Sequence, residues 1–148
     1  MELQVHFGPY IYVDANLTEP VTKVKRQCPA HPKIKQDNNK FCPTCGATVV
    51  NVDEVKYVDV NPGDIVDWDK LSPPHQMRNI LLPQDLAPNE IKFDTDDYNE
   101  IDLSNIEVIK SEQIDWFMAE YAAEIIKLYN RFGSQHVHVK WGVISYWS

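Results

Sequence analysis

Glycine is scarce in this sequence, five residues in 148. None falls in a pattern that would wrap backbone amides around a phosphate, which excludes nucleotide loops of the Walker or dinucleotide type. No nucleophile elbow and no acid–base pair at diagnostic spacing occurs either. Apolar runs are short, and nothing approaches the roughly eighteen consecutive apolar residues of a membrane-spanning helix. The start, Met1 to His6, lacks a basic stretch followed by an apolar one. The expectation is a cytoplasmic protein with no membrane partner. Basic residues are in deficit too: 14 Lys plus Arg stand against 22 Asp plus Glu, a net charge of −8. A surface of that sign repels nucleic acid and anionic lipid, so any contact with either has to be local.

Cysteines number only three, an odd count that argues against a pure disulfide framework. All three fall within eighteen residues and, with one histidine, read Cys28-Pro29-Ala30-His31, then ten residues, then Cys42-Pro43-Thr44-Cys45-Gly46. Structural Zn²⁺ takes four N or S ligands in a tetrahedron, and a two-residue gap lets each pair grip the ion from one tight turn. Pro43 pre-sets that turn, and Gly46 can take the positive φ that aims backbone amides at the thiolates. A C-x-x-C redox pair and an iron or iron–sulfur site are the competing uses of the same donors. A hydrolytic zinc needs an open ligand position and a nearby base, whereas four good ligands close the sphere. The zinc deaminases are excluded: Pro32 and Lys33 follow His31 where H-x-E is required, and Phe41 precedes Cys42 where proline is.

The run Phe41-Cys42-Pro43-Thr44-Cys45-Gly46 resembles the CPxCG knuckle of zinc-ribbon proteins, and Cys28 to His31 resembles a second knuckle with His in the last place. The resemblance covers about a fifth of the chain at most. It implies a ribbon hairpin inserted over residues 22–50 and a structural zinc, but no particular function, because ribbons serve many.

Charge is partitioned along the chain. Between Thr22 and Gly46 lie Lys23, Lys25, Arg26, Lys33, Lys35 and Lys40, with Asp37 as the one acid; the remainder carries eight basic and twenty-one acidic residues. With Phe41, these cations form a candidate contact for phosphates, for stacked bases or for an acidic protein surface. The plainer reading is a solvated loop whose lysines offset the thiolates. The opposite pole runs from Asp94 to Asp102. It is not an EF-hand, since Asn99 stands at the glycine position and Asn105 at the final glutamate. Those carboxylates could serve a metal-dependent hydrolase or nuclease, but such a run more often forms a solvated loop. A dense carboxylate face could also imitate a nucleic-acid backbone and inhibit a host protein, a role suited to a viral factor.

The coarse pattern predicts a single α+β domain over residues 1–148: a mainly antiparallel sheet carrying the zinc-ribbon insert, one long helix packed on it, and a terminal strand. Leu3, Val5 and Phe7 alternate with polar residues until Gly8-Pro9 breaks the pattern before Tyr10 to Val13, which reads as a strand pair or a bent strand. Val21 to Gln27 and Ala47 to Val52 read as two strands of the main sheet from which the ribbon projects. The helix is expected to start after Ser111 as N-cap, to bury a stripe from Ile114 to Phe132, and to stop at Gly133. In the tail, His136 and His138 share one strand face, a geometry some metal enzymes use, but the last twenty-four residues hold no carboxylate to complete a triad; His6 or His75 could join them only through the fold. The function these features favour is a non-enzymatic zinc-binding interaction or regulatory protein, with a basic hairpin on an acidic body facing a protein or nucleoprotein partner.

Overall fold

A computed structural model describes residues 2–91 and 103–148. The carboxylate run from Asp94 to Asp102 lies outside the described residues. The strands are β1 (Leu3–Val13), β2 (Leu17–Gln27), β3 (Val50–Val60), β4 (Leu71–Ser72), β5 (Ile80–Pro83) and β6 (Val137–Trp147), with helices α1 (Ile106–Glu120) and α2 (Ala122–Phe132) before β6. The chain divides into two compact units, one from residues 1–17 and 60–148, the other from residues 18–59.

The larger unit is built on an antiparallel sheet of order β4-β5-β1-β6. β1 and β6 pair along their whole length, Leu3 opposite Trp147 and Val13 opposite Val137. Gly8-Pro9 does not break β1: β5 meets it only at Ile11 and Tyr12, so the missing amide of Pro9 falls where only β6 is paired, a place where proline is tolerated. Inward positions switch along the strand. Ile11 and Val13 are fully buried, whereas Leu3 and Val5 near the start are exposed.

The helices cover the Ile11 end of this sheet. Phe117, Tyr121, Ile125, Leu128 and Phe132 pack with Ile11, Val13, Leu71, Leu81 and Val137 in one core, each such side chain contributing about 1.5–3 kcal/mol on leaving water. Tyr121 holds its ring 5.6 Å from Trp116 and 4.9 Å from Phe117, and its hydroxyl accepts the Asp85 amide. The single long helix expected is two. Tyr121 leaves helical geometry at φ −107°, ψ 19°, although its amide still reaches Phe117 and its carbonyl still accepts from Ile125. No glycine or proline stands there, and the bend coincides with the anchored ring. The start also differs: a 3₁₀ turn at Leu103–Asn105 leads straight into α1, so Ser111 lies inside the helix, not at its cap. Ile106 to Lys110 contain no breaker, and nothing stops the helix from running upstream. Gly133, at φ 89°, ends α2 as expected.

Gln113 on α1 is fully buried. Its amide nitrogen donates to the carbonyls of Pro88 and Asn89, and its oxygen accepts from Trp141 Nε1 at 2.9 Å. A loop, a helix and β6 are thus joined by one side chain whose polar atoms are all used.

The unit of residues 18–59 is built differently. β2 and β3 pair only with each other, in a separate two-stranded sheet, which corrects the expectation that they belong to the main sheet. β3 exposes Val50, Val52, Val55, Tyr57 and Val58, and β2 exposes Val24, so burial of a hydrophobic face does not hold this unit together. Between the strands, residues 28–49 contain only isolated bridges, Cys28 to His31 and Phe41 to Thr48. The hairpin of a zinc ribbon is therefore not clearly reproduced, because no extended strand separates the two ligand pairs.

Candidate metal centre

Each ligand pair is shaped by its own turn. At the first, the His31 amide donates to Cys28 O and the Ile34 amide to His31 O. At the second, the Gly46 amide donates to Cys42 O at 2.8 Å, with Gly46 at φ 73° and open space around its Cα. The Cys42 amide donates to Ala47 O, closing the loop. Cys28 and Cys42 are buried and Cys45 is exposed; none is in a disulfide.

These turns bring one donor atom from each of Cys28, His31, Cys42 and Cys45 within 4.8 Å of one another. The Cys28 and Cys45 sulfurs lie 3.5 Å apart, and His31 Nδ1 lies 3.8 Å from the sulfurs of both Cys28 and Cys42. Bonds of about 2.3 Å to sulfur and about 2.0–2.1 Å to nitrogen require tetrahedral edges of about 3.5–3.8 Å. The four residues are close enough to hold one metal ion, and too close for a multi-iron cluster to lie among them.

Burial opposes the Cys42 thiolate, but the amides of Thr44 and Cys45, joined by the Cys28 and Cys45 thiols, outweigh it and bring its pKa down to about 6. At Cys45 the Ala47 amide favours ionisation, yet the Cys28 thiol, burial and the Cys42 thiol prevail and hold it above its ordinary value. Crowded sulfurs of this kind cannot all ionise without a cation between them.

An outer layer that sequence reading missed braces the site. Gln36, nearly buried, aims Nε2 at Cys42 Sγ, 3.7 Å away. Asn39 Nδ2 donates to Gln36 Oε1 and to Phe41 O, and Asn39 O accepts from Arg26 Nη2 at 2.5 Å. Gln36 and Asn39 look like ordinary polar loop residues in the sequence; only their position between the two ligand pairs hinted at a role.

Of the basic residues singled out, Lys23, Lys25, Arg26, Lys33 and Lys35 line one cleft of about 560 Å³. Lys40 does not line it and instead lies over the Phe41 ring, 5.7 Å from its centre. His136 and His138 do find a carboxylate, that of Asp14 at the end of β1: His136 Nδ1 and His138 Nε2 each lie 2.8 Å from one of its oxygens. The β1–β6 register creates this contact, which no local spacing shows. All three side chains are about two-fifths exposed. His6 and His75 do not join them; they line a separate cleft with Tyr146.

Among the described residues no helix is long and apolar enough to cross a membrane. Comparison with protein-family models, with curated proteins and with solved structures returns no match.

Proposed function

We propose that this chain is a non-enzymatic zinc-binding interaction module, in which Cys28, His31, Cys42 and Cys45 hold one structural Zn²⁺ that fixes the loop between β2 and β3 for contact with a protein or nucleoprotein partner. The observation that carries this reading is that one donor atom from each of these four residues lies within 4.8 Å of the others. Thiolate and imidazole together suit zinc, and four protein ligands leave no position for an activated water. A structural role follows from the company the ligands keep. In residues 18–59 the buried side chains are Cys28, Gln36, Cys42 and Val49, so the site takes the place of a hydrophobic core. A hydrolase built on His136 and His138 is less well supported, since among the described residues the His, Cys, Asp and Glu side chains close enough to hold a metal are those of Cys28, His31, Cys42 and Cys45.

Elemental analysis of the purified chain tests the reading, with one equivalent of zinc per chain as the expected result. Replacement by Co²⁺ is expected to give the intense visible bands of a tetrahedral thiolate complex and the sulfur-to-cobalt charge-transfer band. A chain that purifies without a tightly held ion, or whose Cys45→Ala variant keeps an unchanged cobalt spectrum, contradicts it.

A further inference from the structure

The cleft beside the metal loop draws its cations from three separate stretches: Lys23, Lys25 and Arg26 from β2, Lys33 and Lys35 from the loop, and Lys56 from β3. Lys56 lies outside the basic cluster legible in the sequence and joins it through the pairing of β2 with β3. Glu54 is the one acid on the lining. Six positive groups around one concavity, on a chain of net charge −8, are a local concentration of one sign, and like charges at that density repel.

Arg26 sharpens the chemistry. Its Nη2 is committed to Asn39 O, but its Nε is buried and has no hydrogen-bond partner. Buried donors are ordinarily satisfied, and this guanidinium also borders the cleft, where its planar fork of donors suits phosphate oxygens. Asn39 Nδ2 also donates to the backbone carbonyl of Phe41, and the Phe41 ring is half exposed. Phe41 does not line the cleft, but its backbone is linked to Arg26 through Asn39 and Lys40 lies over one side of its ring. An exposed aromatic among cations suits single-stranded nucleic acid, bases stacking on the ring while cations follow the backbone. Alternate residues of an extended segment, such as Lys23 and Lys25, recur about every 6.7 Å, the scale on which phosphates recur along a stretched strand.

We propose that this cleft binds the phosphodiester backbone of a single-stranded nucleic acid, with Arg26 as the central phosphate ligand and Phe41 as a stacking platform. The proposal rests on the reading above, since the loop that carries Lys33, Lys35 and Asn39 is the one the metal fixes. It names the partner's chemistry, which that reading leaves open.

The test uses the full chain as purified, with zinc content measured on the same sample, and fluorescein-labelled oligothymidine as the probe in anisotropy titrations over a series of salt concentrations. Binding is expected to weaken linearly in log–log form, by about 0.7 per phosphate neutralised. Arg26→Ala is expected to weaken binding at least tenfold. Because that change also removes the Asn39 contact, Lys33→Ala/Lys35→Ala serves as the second variant. It is expected to flatten the salt slope by about 1–2 with zinc content unchanged, while Lys70→Ala in the other unit binds like the parent. Phe41→Ala should weaken binding while leaving the salt slope as it was. No binding by a zinc-loaded chain, cleft variants that bind like the parent, a preference for duplex over single strand, or equal competition by polyglutamate would each overturn the proposal while leaving the zinc site standing. A chain without zinc that still binds through these residues overturns the metal reading alone.

Discussion

Two side chains show how much a single residue decides here. Gln113 is buried with every polar atom paired, to Pro88, Asn89 and Trp141. Gln113→Ala would strand two carbonyls and an indole N–H and open a cavity as well. The expected loss is about 3 kcal/mol, read as a lower urea midpoint at unchanged slope; a loss under about 0.5 kcal/mol, the level of an ordinary surface substitution, would contradict the contact. Asp14 is the converse case, an exposed group with strong partners. Hydrogen bonds from His138 and then His136 hold its carboxyl below the usual aspartate value. A depressed folded pKa means the stabilisation is fully present above the unfolded value of about 3.9 and is lost as pH falls through the lower folded value. Asp14→Asn is therefore expected to differ from the parent in stability at pH 6 and to converge with it toward pH 2. Carboxyl NMR should place the Asp14 midpoint below that of unpaired aspartates, and a midpoint at or above them would remove the clamp. Metal binding is expected to be lost in the same direction, as pH falls. Thiolates and imidazole must be deprotonated to bind, and although the lowered Cys42 pKa eases this, protons should displace the ion as pH drops toward about 5. A chromophoric chelator would follow the release, and full retention at that pH would count against an ion held by an external loop.

At the scale of elements, what could be read from the sequence was local, and what could not depended on distant partners. The ligand pairs were legible because Cys-x-x-His and Cys-x-x-Cys each close on a single turn. α2 was legible because Ile125, Leu128 and Phe132 recur at helical spacing and Gly133 ends them. Its stop is testable: Gly133 sits at φ 89°, and a Cβ there would lie 2.7 Å from Gln135 Oε1. Gly133→Ala should cost about 1–2 kcal/mol, readable as a lower melting temperature, and a neutral result would mean the turn relaxes freely. The start of α1 was not legible, because Ser111 looks like a cap and only the absence of a breaker upstream argues otherwise. Nor was the bend at Tyr121, which coincides with a hydroxyl contact to the Asp85 amide thirty-six residues away. The same limit hid the Asp14 clamp, which needs Val13 opposite Val137. It also hid the separate sheet of β2 and β3: Val21 to Gln27 and Val50 to Val60 carry strand-forming residues, but propensity alone does not say which strand they will pair with.

Across the whole molecule, the means of stabilisation are divided between the two units. The core cluster of Ile11, Val60, Leu71, Phe117, Leu128 and their neighbours belongs entirely to residues 1–17 and 60–148. Residues 18–59 contribute no member, and units of about 40 residues seldom fold without a disulfide, a metal or a partner. Their cysteines form no disulfide, so on the proposed reading the ion bears the folding free energy of that unit. Chelation should then act on one unit only, and the chain supplies its own reporters. Trp68, Trp116, Trp141 and Trp147 are its four tryptophans, and all lie in the unit that has the hydrophobic core. Excess chelator is expected to abolish amide protection from Cys28 to Val49 and expose that segment to protease, while the tryptophan emission maximum and its thermal midpoint stay where they were. A tryptophan signal that shifts together with loss of the metal would mean the ion supports both units at once. Unchanged protection in both would mean that something other than the ion holds residues 18–59 in shape.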